Sequence, residues 1–213
     1  MQGSTMRTRI KFCGLTRAED IDHAVTLGVD ALGFVLWPHS KRAITAQALA
    51  KLASSVPAFV TRVGLFVDQP CEEIEQALAH LDLLQFHGDE TPAFCAQFGK
   101  PWIKALRMRE GVDLAAAADA YADAQALLLD AYRPGVPGGT GEVFDWSRIP
   151  ASLAKPVILA GGLSPANAAG AIAAVAPYAL DVSGGIEASP GVKSRQAMSE
   201  FARQVALADR GAE

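Results

Sequence analysis

Short runs rich in valine, isoleucine, leucine and phenylalanine alternate along the chain with longer stretches whose apolar residues recur three and four positions apart. The first pattern suits a strand buried on one or both faces, the second an amphipathic helix. Eight strands are expected, over 7–13, 31–36, 60–67, 82–86, 102–106, 126–129, 156–159 and 179–182. Between them, Ile74, Ala77, Leu78 and Leu81 keep one helical stripe. The run 166–175 reads as a helix opened by Ser164 as N-cap, with Pro165 at the first helical position. The alanine-rich 113–126 reads as helix surface, and a last helix is expected over 194–208.

Several of these strands are apolar on both faces, as strands of a parallel sheet covered by helices must be. Strand and helix alternating in this way close most simply as an α/β fold, a single (β/α)8 TIM barrel over 7–208, with 1–6 as a short N-terminal extension. An open doubly wound sheet is the competing architecture, and it would gather its ligand at one switch point. Polar and glycine residues instead stand at or just past many strand ends: Cys13-Gly14, Asp68, His87-Gly88, Arg107, Asp130, Gly161-Gly162 and 181–185. Chemistry spread so widely suits a barrel mouth.

Composition narrows the partners. The 213 residues are half apolar and one-fifth charged with a net charge of −4, and the basic residues are scattered, so neither nucleic acid nor anionic lipid is an expected partner. No apolar run approaches the ~18 residues of a membrane span, and the first six residues lack the core of a signal peptide; a cytoplasmic protein is expected. Cys13, Cys71 and Cys95 are too few and too far apart for a disulfide framework or a zinc ribbon and read as free thiols. Of the histidines only His87 lies at a strand end, so a mechanism without metal is expected.

Side chains alternate sides along a strand. Arg9, Lys11 and Cys13 therefore share one face of the first strand, while Ile10 and Phe12, which belong beneath the helices, share the other. The same parity groups Ala126, Leu128 and Asp130, and again Ala179, Asp181 and Ser183, so that Cys13 and Asp130 should face each other across one opening. Inward Lys11 and Asp181 come from strands adjacent in a closed barrel and should pair beneath Cys13. Lys11 would then either lower the thiol pKa or only fill the barrel interior. Cys71 and Cys95 read as packing residues. The turns Gly161-Gly162 and Ser183-Gly184-Gly185 suit an anion held by backbone N–H groups, although a plain strand-to-helix turn explains one such pair. The run 137–141, Pro-Gly-Gly-Thr-Gly, lacks the Lys-Ser/Thr of a nucleotide loop and reads as a hinged lid. Lys41 and Arg42 make either a two-point carboxylate clamp or a solvated basic turn.

Taken in order over 9–201, KFCGLT, DALGFVLWPHSKRAIT, LLQFHGDE, LLLDAYRPGVPGGTGEVFDW, LAGGLSPANAAGAI and ALDVSGGIEASPGVKS resemble the phosphoribosylanthranilate isomerase family of tryptophan biosynthesis. The resemblance implies a TIM barrel that converts N-(5-phosphoribosyl)anthranilate to 1-(2-carboxyphenylamino)-1-deoxyribulose 5-phosphate by an Amadori rearrangement. It implies Asp130 as general acid, Cys13 as general base and Arg42 on the substrate carboxylate. Gly161, Gly162, Ser183, Gly184 and Gly185 would hold the phosphate, with Lys11, His87 and Asp181 also in the site. Such proteins occur as monomers and as homodimers, and either is expected here. The chain departs from the family at Gly184, where a second serine is usual, which removes one hydroxyl donor to phosphate. Two other readings stand beside this one: a different phosphosugar isomerase or epimerase on the same scaffold, and a barrel that binds a phosphorylated ligand without turning it over. A metal-dependent epimerase would show several strand-end histidines, and a mere binder has no use for an opposed acid and base.

Overall fold

The computed structural model describes residues 7–131, 144–150 and 152–211. Eight strands pair in chain order: β1 (Arg9–Cys13), β2 (Ala31–Val35), β3 (Thr61–Phe66), β4 (Leu83–Phe86), β5 (Trp102–Arg107), β6 (Leu127–Asp130), β7 (Val157–Leu159) and β8 (Ala179–Val182). All pairings are parallel, and β8 returns to β1 to close the sheet into a (β/α)8 barrel. The helices on its outside are α1 (Ala18–Thr26), α2 (Ala46–Ala53), α3 (Cys71–Glu75), α4 (Pro92–Ala96), α5 (Leu114–Ala120), α6 (Ala168–Val175) and α7 (Arg195–Gly211). Between β6 and β7 the described residues hold only a 3-10 turn, Trp146–Arg148. The extension 1–6 and the glycine run 137–141 lie outside the described residues.

Strand parity sorts the core into two shells. Ile103, Ala105, Ala126, Leu128, Ile158, Ala160 and Ala179 fill the barrel interior. Phe12, Leu32, Phe34, Phe66, Leu84 and Phe86 point the other way, into the layer between sheet and helices. The small interior residues Ala126, Ala160 and Ala179, on or next to β6, β7 and β8, leave room above them, whereas the outer shell is aromatic. The Phe86 ring lies 5.9 to 6.2 Å from those of Phe66, Phe94, Phe98 and Trp102, mostly tilted or edge-on, as ring quadrupoles prefer. Several helices start at side-chain caps: Thr45 accepts from Ala48 N–H at 3.1 Å, Thr91 from Phe94 N–H at 3.3 Å, and Asp113 from two N–H groups at 3.0 Å. The closing α7 buries Met198, Phe201 and Val205 along one stripe.

Three helical expectations are corrected. The stripe of Ile74, Ala77 and Leu81 is buried as expected, but α3 ends at Glu75. The chain then tightens to bonds three residues apart, Ala77 to Ile74, His80 to Ala77 and Leu81 to Leu78. Tightening swings Leu81 over Gly64 of β3, where no side chain competes for the space. Helix α6 begins at Ala168, not 166. The Ser164 carbonyl accepts from Asn167 and Ala168 N–H, and Ser164 N–H donates to the Asn167 carboxamide at 2.8 Å, so the N-cap position falls to Asn167, whose side chain braces the preceding turn and caps no helix N–H. The alanine-rich run is helical only to Ala120, because Ala124 and Ala126 are needed inside, the latter in the barrel interior.

A buried ion pair ties the outer layer to the mouth. Lys104 Nζ donates to the Glu90 carboxylate at 2.7 Å and to the Gly88 carbonyl at 2.8 Å, with both side chains 2% exposed. Glu90 also accepts from the N–H groups of Asp68 and Gly88, each at 2.9 Å, joining the loops after β3 and β4. Lys104→Met strands a buried carboxylate and should cost about 3–5 kcal/mol in urea unfolding. A loss below about 1 kcal/mol would show that the site rearranges to hydrate Glu90.

Candidate active site

The C-terminal ends of the strands frame a cavity of about 450 Å³, within the range of small-molecule sites. Cys13, Arg42, His87, Asp130, Asp181, Gly161, Gly162 and Ser183 to Gly185 all line it. Lys11 lies beneath, buried in the barrel. Two strand-end residues behave differently from each other: Arg107 lines the cavity, but Asp68 turns aside to accept from Asp89 N–H at 2.6 Å. Lys41 does not line the cavity.

Cys13 sits at the last position of β1, and Gly14 ends the strand in a left-handed turn with φ +74°. A Cβ there would lie 2.5 Å from Arg42 Cδ, so glycine lets the arginine stem cross the strand end. Register sets Lys11 opposite Asp181, and their side chains meet at 2.9 Å with at most 7% exposure. A Cβ at Gly33 of β2 would lie 2.7 Å from Cys13 Sγ and 3.0 Å from Lys11 Nζ, so one absent side chain leaves room for both groups. Burial alone would push the Lys11 ammonium down, but Asp181 and then the Cys13 thiol more than offset it and hold it above the usual lysine range. Burial pushes the Cys13 thiol above its ordinary range; Lys11 and Lys193 pull it down and Asp181 pushes it up. Of the two roles expected for Lys11, it does pull the thiol down, as well as pairing with Asp181 inside the barrel, but desolvation of a thiolate there outweighs that pull. Cys95, fully buried under the helices, is pushed up to about 12, also by burial, and is inert packing.

Asp130 ends β6 across the cavity from β1. His87 Nε2 lies 3.2 Å from Asp130 Oδ2, and Gln85 Nε2 lies 3.4 Å from His87 Nδ1. Donation by the Gln85 amide selects the tautomer whose Nε2–H donates to Asp130. Gly161, with φ +80°, passes so close that a Cβ would lie 2.7 Å from Asp130 Oδ1. The N–H groups of Gly162, Gly184 and Gly185 donate to none of the described carbonyls, which leaves them available to an anion.

Arg42 reaches the cavity, but two of its donors are already engaged: Nε and Nη2 donate to the Glu187 carboxylate at 2.7 Å each. Arg42 is held above the usual arginine range by that hydrogen-bonded partner. Glu187, Lys193, Gln85 and Trp37 belong to or support this site and were not picked out from the sequence. Gln85 was within reach, since it precedes His87 by two positions and shares its face. Glu187 and Lys193 follow the last barrel strand, where alternation no longer says where a side chain points.

Fold and site together define a (β/α)8-barrel enzyme with a thiol and a carboxyl group on opposite walls of one glycine-rimmed mouth. The family described as N-(5'-phosphoribosyl)anthranilate (PRA) isomerase matches residues 10–204. The chain belongs to that family. It is 64% identical to the N-(5'-phosphoribosyl)anthranilate isomerase of Chromohalobacter salexigens over 205 residues, 96% of this chain and 97% of that protein. A crystal structure of phosphoribosyl anthranilate isomerase from Thermus thermophilus is 39% identical with a TM-score of 0.84, covering 94% of this chain and 99% of that one. A further isomerase structure, in complex with reduced 1-(o-carboxyphenylamino)-1-deoxyribulose 5-phosphate, is 34% identical with a TM-score of 0.83 and covers the same shares.

In a Cys71→Ser background, the rate of Cys13 alkylation by iodoacetamide should rise with pH along a curve displaced above that of a free thiol (~8.5). Lys11→Met should move it further up, because the one neighbour that most favours thiolate is gone. Superimposable curves for the two proteins would remove Lys11 from the electrostatics of the thiol.

Proposed function

We propose that Cys13 and Asp130 are the base and acid with which this chain isomerises N-(5-phosphoribosyl)anthranilate to 1-(2-carboxyphenylamino)-1-deoxyribulose 5-phosphate in tryptophan biosynthesis. Asp130 gives its proton to the ribose ring oxygen as the C1–O bond breaks, and the anthranilate nitrogen lone pair forms a C1=N iminium. Cys13 thiolate takes the proton from C2; the C–H electrons become a C1=C2 bond, and the former C=N electrons return to nitrogen. The resulting enolamine takes a proton at C1 while its C2 hydroxyl loses one, giving the ketone, so product and substrate are isomers. An aldose-to-ketose shift of this kind needs one acid and one base on a positioned sugar, and we read the enzyme as independent of metal and cofactor on that chemistry.

The observation that carries the reading is the opposition of a thiol on β1 and a carboxyl on β6 across a single cavity. The unengaged N–H groups of the β7 and β8 turns support a phosphate anchor there, remote from the reacting carbons, whose binding energy would orient the sugar. Ser183 supplies the one hydroxyl of that pair of turns; Gly184 offers backbone alone. His87 would orient the Asp130 carboxyl through Nε2. A thiol raised by burial suits a base that is needed only when substrate has filled the cavity and its positive iminium lies next to Sγ. No helix among the described residues is long and apolar enough to cross a membrane, and the free thiols fit a cytoplasmic setting.

Cys13→Ala and Asp130→Asn should each retain the wild-type unfolding curve and lose 10²–10⁴-fold or more in kcat, followed anaerobically as loss of substrate fluorescence. Near wild-type turnover by either variant would end its assignment. Exhaustive dialysis against EDTA should leave kcat/KM unchanged; activity lost and then restored by a divalent cation would contradict the metal-free reading.

A further inference from the structure

The mouth holds a buried ion network that the proton transfers do not use. It begins on the short hairpin β9 (Glu187–Ser189) and β10 (Val192–Lys193) that follows the barrel. The Lys193 side chain is fully enclosed, and its Nζ donates to the carbonyls of Cys13 at 2.6 Å and Ser183 at 3.1 Å and to Glu187 Oε1 at 2.9 Å. All of these partners are acceptors, which calls for the ammonium form. Glu187 in turn accepts Arg42 Nε and Nη2 at 2.7 Å and Gly191 N–H at 3.3 Å. With donors on every side, this carboxylate is an anchor and not a placeholder that a ligand displaces.

Glu187 takes the side-on edge of the guanidinium and leaves Nη1 and the second Nη2 hydrogen, the end-on fork, which meets a carboxylate equally well. Among the described hydrogen bonds Nη1 donates to nothing. An isolated Arg–Glu pair would be neutral and would draw an anion poorly; with Lys193 the trio carries a net positive charge. We infer that Glu187, pinned by Lys193, is a positioning residue that presents the end-on fork of Arg42 to the substrate carboxylate and ties that clamp to the strand end bearing Cys13. The inference rests on the reading of Arg42 as the carboxylate clamp. Clamp, base and the β8 turn meet on one ammonium, so the distance from anthranilate carboxylate to C2 proton is set before substrate arrives. An arginine without this hold would lose its rotamer freedom at each binding event.

The test compares kcat/KM for phosphoribosylanthranilate with that for N-(5-phosphoribosyl)aniline, which lacks the carboxylate. Arg42→Ala should abolish the preference for the carboxylated substrate. Glu187→Gln should lower that preference about two- to tenfold, mainly through KM of the carboxylated substrate, as expected when one long side chain must be ordered on binding. The double variant should prefer it no less than Arg42→Ala alone. Equal losses on both substrates, or an unchanged preference, in Glu187→Gln would overturn the inference while leaving the clamp intact; an unchanged preference in Arg42→Ala would overturn the clamp and the inference with it. Should Glu187→Gln fail to fold because Lys193 loses its anion, Glu187→Gln with Lys193→Gln, neutral at both positions, carries the same comparison.

Discussion

The barrel closes where its first and last strands meet, and at that seam it buries an ion pair, Lys11 with Asp181. Neither charge can be left alone there, since a solitary ion in the interior costs several kcal/mol, so the pair holds β1 and β8 in one register. Two residues further along those strands stand Cys13 and Ser183, at the rim. The same ammonium that satisfies Asp181 also favours thiolate at Cys13, which makes the seam at once a structural closure and the electrostatic floor of the site.

Above that floor, polar side chains come in held groups: His87 with Asp130, Arg42 with Glu187, and Glu187 with Lys193. The first two groups each join segments from different strands, and Lys193 ties the final hairpin to the end of β1 through the Cys13 carbonyl. A mouth assembled from separate loops needs such ties, because loops have no ladder to fix them. Glycines do the complementary work. Gly14 lets the Arg42 stem cross β1, and Gly161 lets the chain pass beside Asp130. The result is a cavity with a thiol and a carboxyl group on opposite walls and the glycine turns after β7 and β8 at its rim.

Much of this was legible beforehand. Alternation along β1, β6 and β8 put Cys13, Asp130 and Asp181 inward, and the structure has them lining one cavity. Short apolar runs marked the strands closely, because a strand buried on both faces tolerates few polar residues. Helix ends were less legible. The end of α3 depends on the room that Gly64 leaves for Leu81, and the start of α6 on an asparagine reaching back to Ser164. Glu187 and Lys193 lay inside a quoted motif and drew no role, since a hairpin past the last barrel strand has no period that tells in from out.

By itself the sequence determined which residues could face the barrel interior and which chemistry they carry, because pleat parity is a local property of the chain and needs no knowledge of neighbours. Tertiary structure alone decided how those groups behave together. Only the closed sheet shows that burial outweighs Lys11 at the Cys13 thiol, that Arg42 spends one edge on Glu187, and that Lys193 joins β1, β8 and the final hairpin. Those outcomes turn on distance and desolvation between groups as many as 180 residues apart, and neither quantity exists until the chain has closed on itself.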